Sequence, residues 1–131
     1  MTFIGVVVSG MGKGAGFVAM PFYAKQFQRK LGFEPFPGTL NLRVDAKGRK
    51  KLLGRLSGKG ICIVGKSDTL GKKGGAWCFA IKVNALQCFA VVPDKTTHAK
   101  DIVEVLSRFN LRKKLRLRNG CKVRLSFNSL A

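Results

Sequence analysis

The stretch Phe33-Glu34-Pro35-Phe36-Pro37-Gly38-Thr39-Leu40-Asn41-Leu42 limits this chain's folds more than any other. Pro35, Pro37 and Gly38 set a stiff turn through which a helix does not run. A short alternating strand leaves that turn. Side chains two apart on a strand share a face. Leu40, Leu42 and Val44 are therefore expected to point inward, and Thr39, Asn41 and Arg43 outward. A hydroxyl and an amide oxygen then stand side by side at the mouth of a turn. Neutral oxygen ligands suit a hard cation such as Mg2+ when substrate phosphates bring the negative charge. An ordinary exposed strand face carries the same residues, and spacing alone leaves both readings open.

At 131 residues the chain suits a single domain over 1–131. A chain of this size buries roughly two-thirds of its unfolded surface. With 46% hydrophobic residues it is not a disordered tail. The 25 basic and 6 acidic residues leave a net charge of +19, which points to a polyanionic partner: nucleic acid, nucleotide phosphates or an acidic lipid surface. Cys62, Cys78, Cys88 and Cys121 form no C-x-x-C pair, so a zinc site is not expected. Residues 1–8 have neither a basic leader nor a cleavage signal. Their apolar run is too short to cross a bilayer. A cytoplasmic protein with reduced, mostly buried thiols and no membrane insertion is expected.

Residues 3–9 are rich in β-branched side chains and read as a buried strand. Gly10-Met11-Gly12-Lys13-Gly14-Ala15-Gly16 follows, with a glycine at every second position. Such a run can turn backbone N–H groups toward a phosphate. It can equally be a flexible turn. Residues 17–20 read as another strand, 21–31 as a helix opened by Pro21 and stopped by Gly32, and 39–45 as the strand of the central stretch. Residues 46–75 carry nine basic residues and one acid, Asp68. They read as basic loops around one apolar strand near 61–64. Strands over 75–83 and 86–92 meet at a turn at Asn84-Ala85. Residues 93–98 read as a loop, with Thr96 or Thr97 capping a helix that carries Ile102, Val103, Leu106 and Phe109 as its apolar stripe. A short helical turn over 111–115, a turn at Asn119-Gly120 and a closing strand over 121–127 complete the chain. About six short strands with two helices suggest a mainly β fold, a small barrel with helical crossovers.

Two nucleotide fingerprints fail on context. Gly10-x-Gly12-x-x-Ala15 is close to the dinucleotide pattern, but a strand rather than a helix is expected after it. Gly60-Ile61-Cys62-Ile63-Val64-Gly65-Lys66-Ser67 matches the P-loop in letters. Its four intervening residues are strand-like, and a turn-rich loop follows where the P-loop needs a helix.

The order of V-S-G-M-G-K-G-A, L-G-F-E-P-F-P-G-T-L-N-L and V-V-P-D-K-T-T-H, followed by an amphipathic segment and L-R, resembles the archaeal CTP-dependent riboflavin kinases. The likeness covers residues 4–45 and 91–127 and is poor over 46–75. It implies a six-stranded cradle-loop β-barrel with two or three short helices. It also implies transfer of the terminal phosphate of CTP to riboflavin, giving FMN and CDP, by a monomer. Carried over by position, Gly10, Met11, Gly12, Lys13, Gly14 and Ala15 correspond to the nucleotide phosphate loop, and Phe109, Asn110, Leu111 and Arg112 to part of the nucleotide pocket. Thr39 and Asn41 correspond to Mg2+ ligands, and Thr96 and Glu104 to flavin contacts. No general base is visible, and His98, near Thr96, reads as structural.

Residues 105–131 hold eight basic residues and no acid. Together with 46–75 they keep a second class open, a basic nucleic-acid-binding barrel without catalysis. Against it, no recognised nucleic-acid motif occurs, and the aromatic residues are not interleaved with the basic runs as a stacking platform requires. Nonspecific polyanion affinity through basic loops is the weaker form of that expectation. Attachment to acidic lipid has no strongly amphipathic basic helix to support it.

Overall fold

In the computed structural model nine strands and three helices are described, over residues 2–10, 20–65, 67–68, 71–72, 75–93 and 101–127. In chain order these are β1 Thr2–Val8, α1 Pro21–Leu31, β2 Leu40–Arg43, α2 Ala46–Leu56, β3 Ile61–Ile63, β4 Ser67–Asp68, β5 Gly71–Lys72, β6 Ala76–Val83, β7 Leu86–Pro93, β8 Ile102–Leu106, α3 Leu111–Lys114 and β9 Lys122–Ser126. The main sheet runs β3-β6-β7-β8-β2-β1-β9, and a further β6–β9 pairing joins its ends. Six antiparallel strands thereby close into a ring, a small barrel, with β3 on the edge of β6 that β9 leaves free. Closure removes the open edges that make isolated sheets prone to aggregation. Strands β4 and β5 form a separate two-stranded ribbon.

The β6–β9 seam is only two register pairs long, Lys82↔Ser126 and Val83↔Leu125. Asn84 extends it. Its backbone N–H donates to the Arg124 carbonyl at 2.9 Å, and its side-chain oxygen accepts the Arg124 N–H at 2.8 Å. Asn84 and Ala85 have φ of 47° and 71°. That left-handed pair is the geometry a two-residue hairpin needs to match strand twist.

The barrel interior gathers Val7, Leu42, Ile81, Val83, Val105 and Leu125, all essentially without solvent exposure. A second cluster lies outside the barrel, where Tyr23 and Phe27 of α1 cover Ile63, Ala76, Cys78, Val91 and Leu106. Gln26 fixes that helix by exchanging hydrogen bonds with the backbone of Val64, at 3.0 and 2.8 Å. Helix α1 has the bounds expected from Pro21 and Gly32, and Gly32 ends it at φ 84°. Burial pushes the Cys78 thiol up to about 12 and the Cys88 thiol up to about 11. Neither is a nucleophile at neutral pH, since only the thiolate reacts.

Two expectations are corrected. Residues 46–56 form a helix, not a basic loop. The Asp45 carboxylate caps it by accepting the Gly48 N–H at 2.7 Å, and Leu52 and Leu56, four apart, reach the barrel core. Gly48 and Gly54 hide this helix, because glycine costs about 1 kcal/mol per position in a helix interior. Residues 102–106 form a strand, not a helix. Val103 and Val105 face the barrel core and Leu106 faces α1, so both sides of the strand are covered. Double coverage removes the apolar–polar alternation, and the remaining spacing imitates a helical stripe. Phe109 is not part of such a stripe; it is 37% exposed. The expected strand over 17–20 and the Thr96 or Thr97 cap fall on residues 17–19 and 94–100, outside those described.

Candidate active site

Strand β2 lies between β1 and β8, with Asn41 opposite Val8 on one side and Glu104 on the other. The alternation expected from the sequence holds for Leu40, Leu42 and Val44, which are buried. The polar side is not the open face it was expected to be. Asn41 is 7% exposed and Glu104 8%. Thr39, one residue before β2, donates its hydroxyl to Glu104 Oε1 at 3.4 Å. Arg43, farther along, remains outside and pairs with Asp101 at 3.5 Å.

Gly10 closes over Asn41. A Cβ on Gly10 would collide with the Asn41 amide nitrogen and lie 2.9 Å from its Cγ. Asn41 Oδ1 is buried and has no hydrogen-bond partner among the described residues. An orphaned buried acceptor costs about 1–3 kcal/mol, and such an atom inside a polar cluster is what a cation ligand looks like before the cation arrives. The donor set fits a hard ion: a hydroxyl, an amide oxygen and a neighbouring carboxylate. Among the described residues no three His, Cys, Asp or Glu side chains gather as a protein-only cage.

A cleft of about 170 Å³ opens beside this cluster. Thr39 and Phe36 form one wall; Ser107, Phe109, Asn110 and Arg112 form the other. The structure therefore brings together two groups that lie far apart in sequence, the Thr39–Asn41 pair and the 109–112 segment. Ser107 joins the walls. Its carbonyl accepts the Phe36 N–H at 2.8 Å, and its hydroxyl accepts the Phe109 N–H at 3.1 Å. Asn110 caps α3 by accepting the Lys113 N–H at 3.3 Å. Leu111 anchors that helix in the core while bordering the cleft. The Lys114 ammonium sits 4.6 Å from the Phe109 ring centroid, a cation–π contact that steadies the exposed ring.

Arg112 reaches back to the start of the glycine run. Its Nη2 donates to the Val8 carbonyl at 3.3 Å and to Asn119 Oδ1 at 2.8 Å. Asn119 Nδ2 in turn donates to the Ser9 hydroxyl at 2.7 Å. A fixed guanidinium thus stands where β1 hands over to Gly10. Met11, Gly12, Lys13, Gly14, Ala15 and Thr96 lie outside the described residues. Sequence reasoning missed Phe36, Ser107 and Asn119. Asn119 was legible only as half of an Asn-Gly turn, and nothing local distinguishes the other two.

The chain matches the sequence profile of the CTP-dep_RFKase family, described as a domain of unknown function (DUF120), over residues 7–127. It is 38% identical over 123 residues to a riboflavin kinase of Pyrobaculum islandicum, a match covering 92% of this chain and 57% of that protein. Identity to a riboflavin kinase of Pyrobaculum aerophilum is 37% over 119 residues, 89% of this chain and 56% of that one. A riboflavin kinase of Methanopyrus kandleri is 36% identical over 122 residues, covering 93% of this chain and 80% of that protein. The chain thus spans a little over half the length of the Pyrobaculum relatives and four-fifths of the Methanopyrus one. A profile match running through both walls of the cleft, with these relatives aligned over nearly the whole chain, means that the chain belongs to the CTP-dependent riboflavin kinase family.

Proposed function

We propose that this chain transfers the terminal phosphate of CTP to riboflavin, giving FMN and CDP, with Mg2+ held by Thr39 and Asn41. The observation that carries the reading is the buried, unpartnered Asn41 Oδ1 beside a cleft whose far wall is Phe109–Arg112. Phosphoryl transfer asks mainly for positioning and charge neutralisation. A bound Mg2+ would supply the neutralising charge between phosphate oxygens. The chain's own residues do the rest. Arg112 is held rigidly by Val8 and Asn119, so its charge faces the phosphates at little entropic cost. Thr39 and Glu104 hold each other in place. Glu104 would accept hydrogen bonds from the flavin, as the family resemblance implies.

Incubating the protein with riboflavin, Mg2+ and equal CTP and ATP should yield FMN at the expense of CTP. The described residues contain neither a P-loop followed by a helix nor a dinucleotide fold. Cytosine's edge, with one donor and two acceptors, suits a short stretch of backbone. FMN formation that runs equally well on ATP would overturn the choice of donor; no FMN with either would overturn the kinase reading. Glu104→Ala should raise the riboflavin KM at least tenfold while leaving the CTP KM within about twofold, since a charge-assisted hydrogen bond is worth roughly 1.5–3 kcal/mol. Equal increases in both would make Glu104 a structural residue.

A further inference from the structure

A second cleft lies away from the Thr39 cluster, about 460 Å³ in volume and lined by Leu53, Ser57, Gly58, Gly60, Trp77 and Phe79. Trp77 is 45% exposed, unusually so for the largest apolar side chain. It shares a strand face with Phe79, two residues along β6. Gly60 brings the two rings together: a Cβ there would lie 2.7 Å from Phe79 Cε1 and 3.0 Å from Trp77 Cε3. The opposite wall is the end of α2, one of the most basic segments of the chain. Lys50 lies one turn from Leu53 on the same helix face, and Lys59 sits between the two lining glycines. Both are exposed, as are Lys47, Lys51 and Arg55. No carboxylate lines the cleft. Among the described residues none of these five side chains is in an ion pair.

We propose that this cleft binds single-stranded nucleic acid, a base stacking on Trp77 and the flanking phosphates meeting Lys50, Lys59 and the outer face of α2. Aromatic faces beside a cationic track are the elements of sequence-tolerant single-strand binding. A lipid surface is the poorer fit. The apolar residues of α2, Leu52 and Leu56, are spent in the barrel core, so the helix has no free apolar face to insert. The cleft is also concave, which suits a ring better than a bilayer. The proposal does not depend on the kinase reading, because none of its residues lines the other cleft.

Trp77 is the only tryptophan in the chain, so its fluorescence reports on the site alone. Titrating the whole protein with a roughly ten-nucleotide oligo(U) should quench that emission, and the affinity should fall steeply as salt rises, through counterion release. Trp77→Ala should weaken binding by about 5- to 150-fold, read by anisotropy of a labelled oligonucleotide, the range expected for one lost stacked base. Lys50→Gln with Lys59→Gln, both at exposed sites, should flatten the salt slope by roughly 1. It keeps the test decisive should Trp77→Ala fold poorly. Unchanged affinity in both variants would overturn the proposal. So would displacement of the oligonucleotide by excess CTP, or quenching by anionic phosphatidylglycerol vesicles without any by oligo(U).

Discussion

Asn41→Leu is expected to lower Mg2+-dependent FMN formation by at least about a thousand-fold while leaving the protein as stable as before, or more so. A metal that neutralises transferring phosphate is worth several kcal/mol of transition-state stabilisation, and about 1.4 kcal/mol is tenfold in rate. Losing one of the chain's few oxygen ligands forfeits most of that. The stability half runs the other way from most core substitutions. Asn41 Oδ1 is buried without a partner, and a leucine of similar size removes an acceptor whose burial costs about 1–3 kcal/mol. Thermal unfolding without metal should therefore show an equal or higher Tm. The wild-type chain should gain further Tm when Mg2+ and CDP are added together, because ligands that bind only the folded state stabilise it by mass action; the variant should gain much less. A variant that keeps its Mg2+-dependent rate, or its full Mg2+–CDP stabilisation, would end the assignment of Asn41 as a ligand.

Gly10→Ala is expected to cut activity by roughly a hundred-fold or more through Asn41 rather than through the glycine's own backbone. A Cβ at Gly10 has no room, because the Asn41 amide occupies that space, and displacing a positioned group by about an ångström can cost two orders of magnitude. The steric origin separates this from a general loss of loop freedom. Gly54→Ala is the control: nothing lies within 4 Å of the added Cβ, and alanine favours the helix by up to about 1 kcal/mol. It should leave catalysis intact and raise Tm slightly. Activity at the wild-type level in Gly10→Ala would show that Asn41 can yield without consequence. A parallel loss in Gly54→Ala would mean that the assay reads folding rather than the site.

Local signals in the chain determined a good deal. Pro21 and Gly32 delimited α1, Asn84-Ala85 announced its hairpin, and alternation in Leu40, Leu42 and Val44 put Thr39 and Asn41 on one side of a strand beside a proline turn. These are short-range rules of backbone geometry, so the sequence alone suffices for them. The ring of strands needed partners that no local rule names. Strand β8 was misread as a helix because it is covered on both faces, by the barrel core and by α1. Helix α2 was misread as a loop because its two glycines and its charge mask Leu52 and Leu56, whose purpose appears only where the barrel supplies something to pack on. Thr39 reaches Glu104 across 65 residues, Arg112 reaches Val8 across 104, and Trp77 meets the basic helix only after the barrel has closed. In sequence the aromatic residues stand apart from the basic runs; in space one of them borders the most basic helix. Long-range contacts of this kind cost chain entropy to form and leave no periodic trace, which is why the tertiary structure alone decided where the polar pair, the cleft and the exposed ring came together.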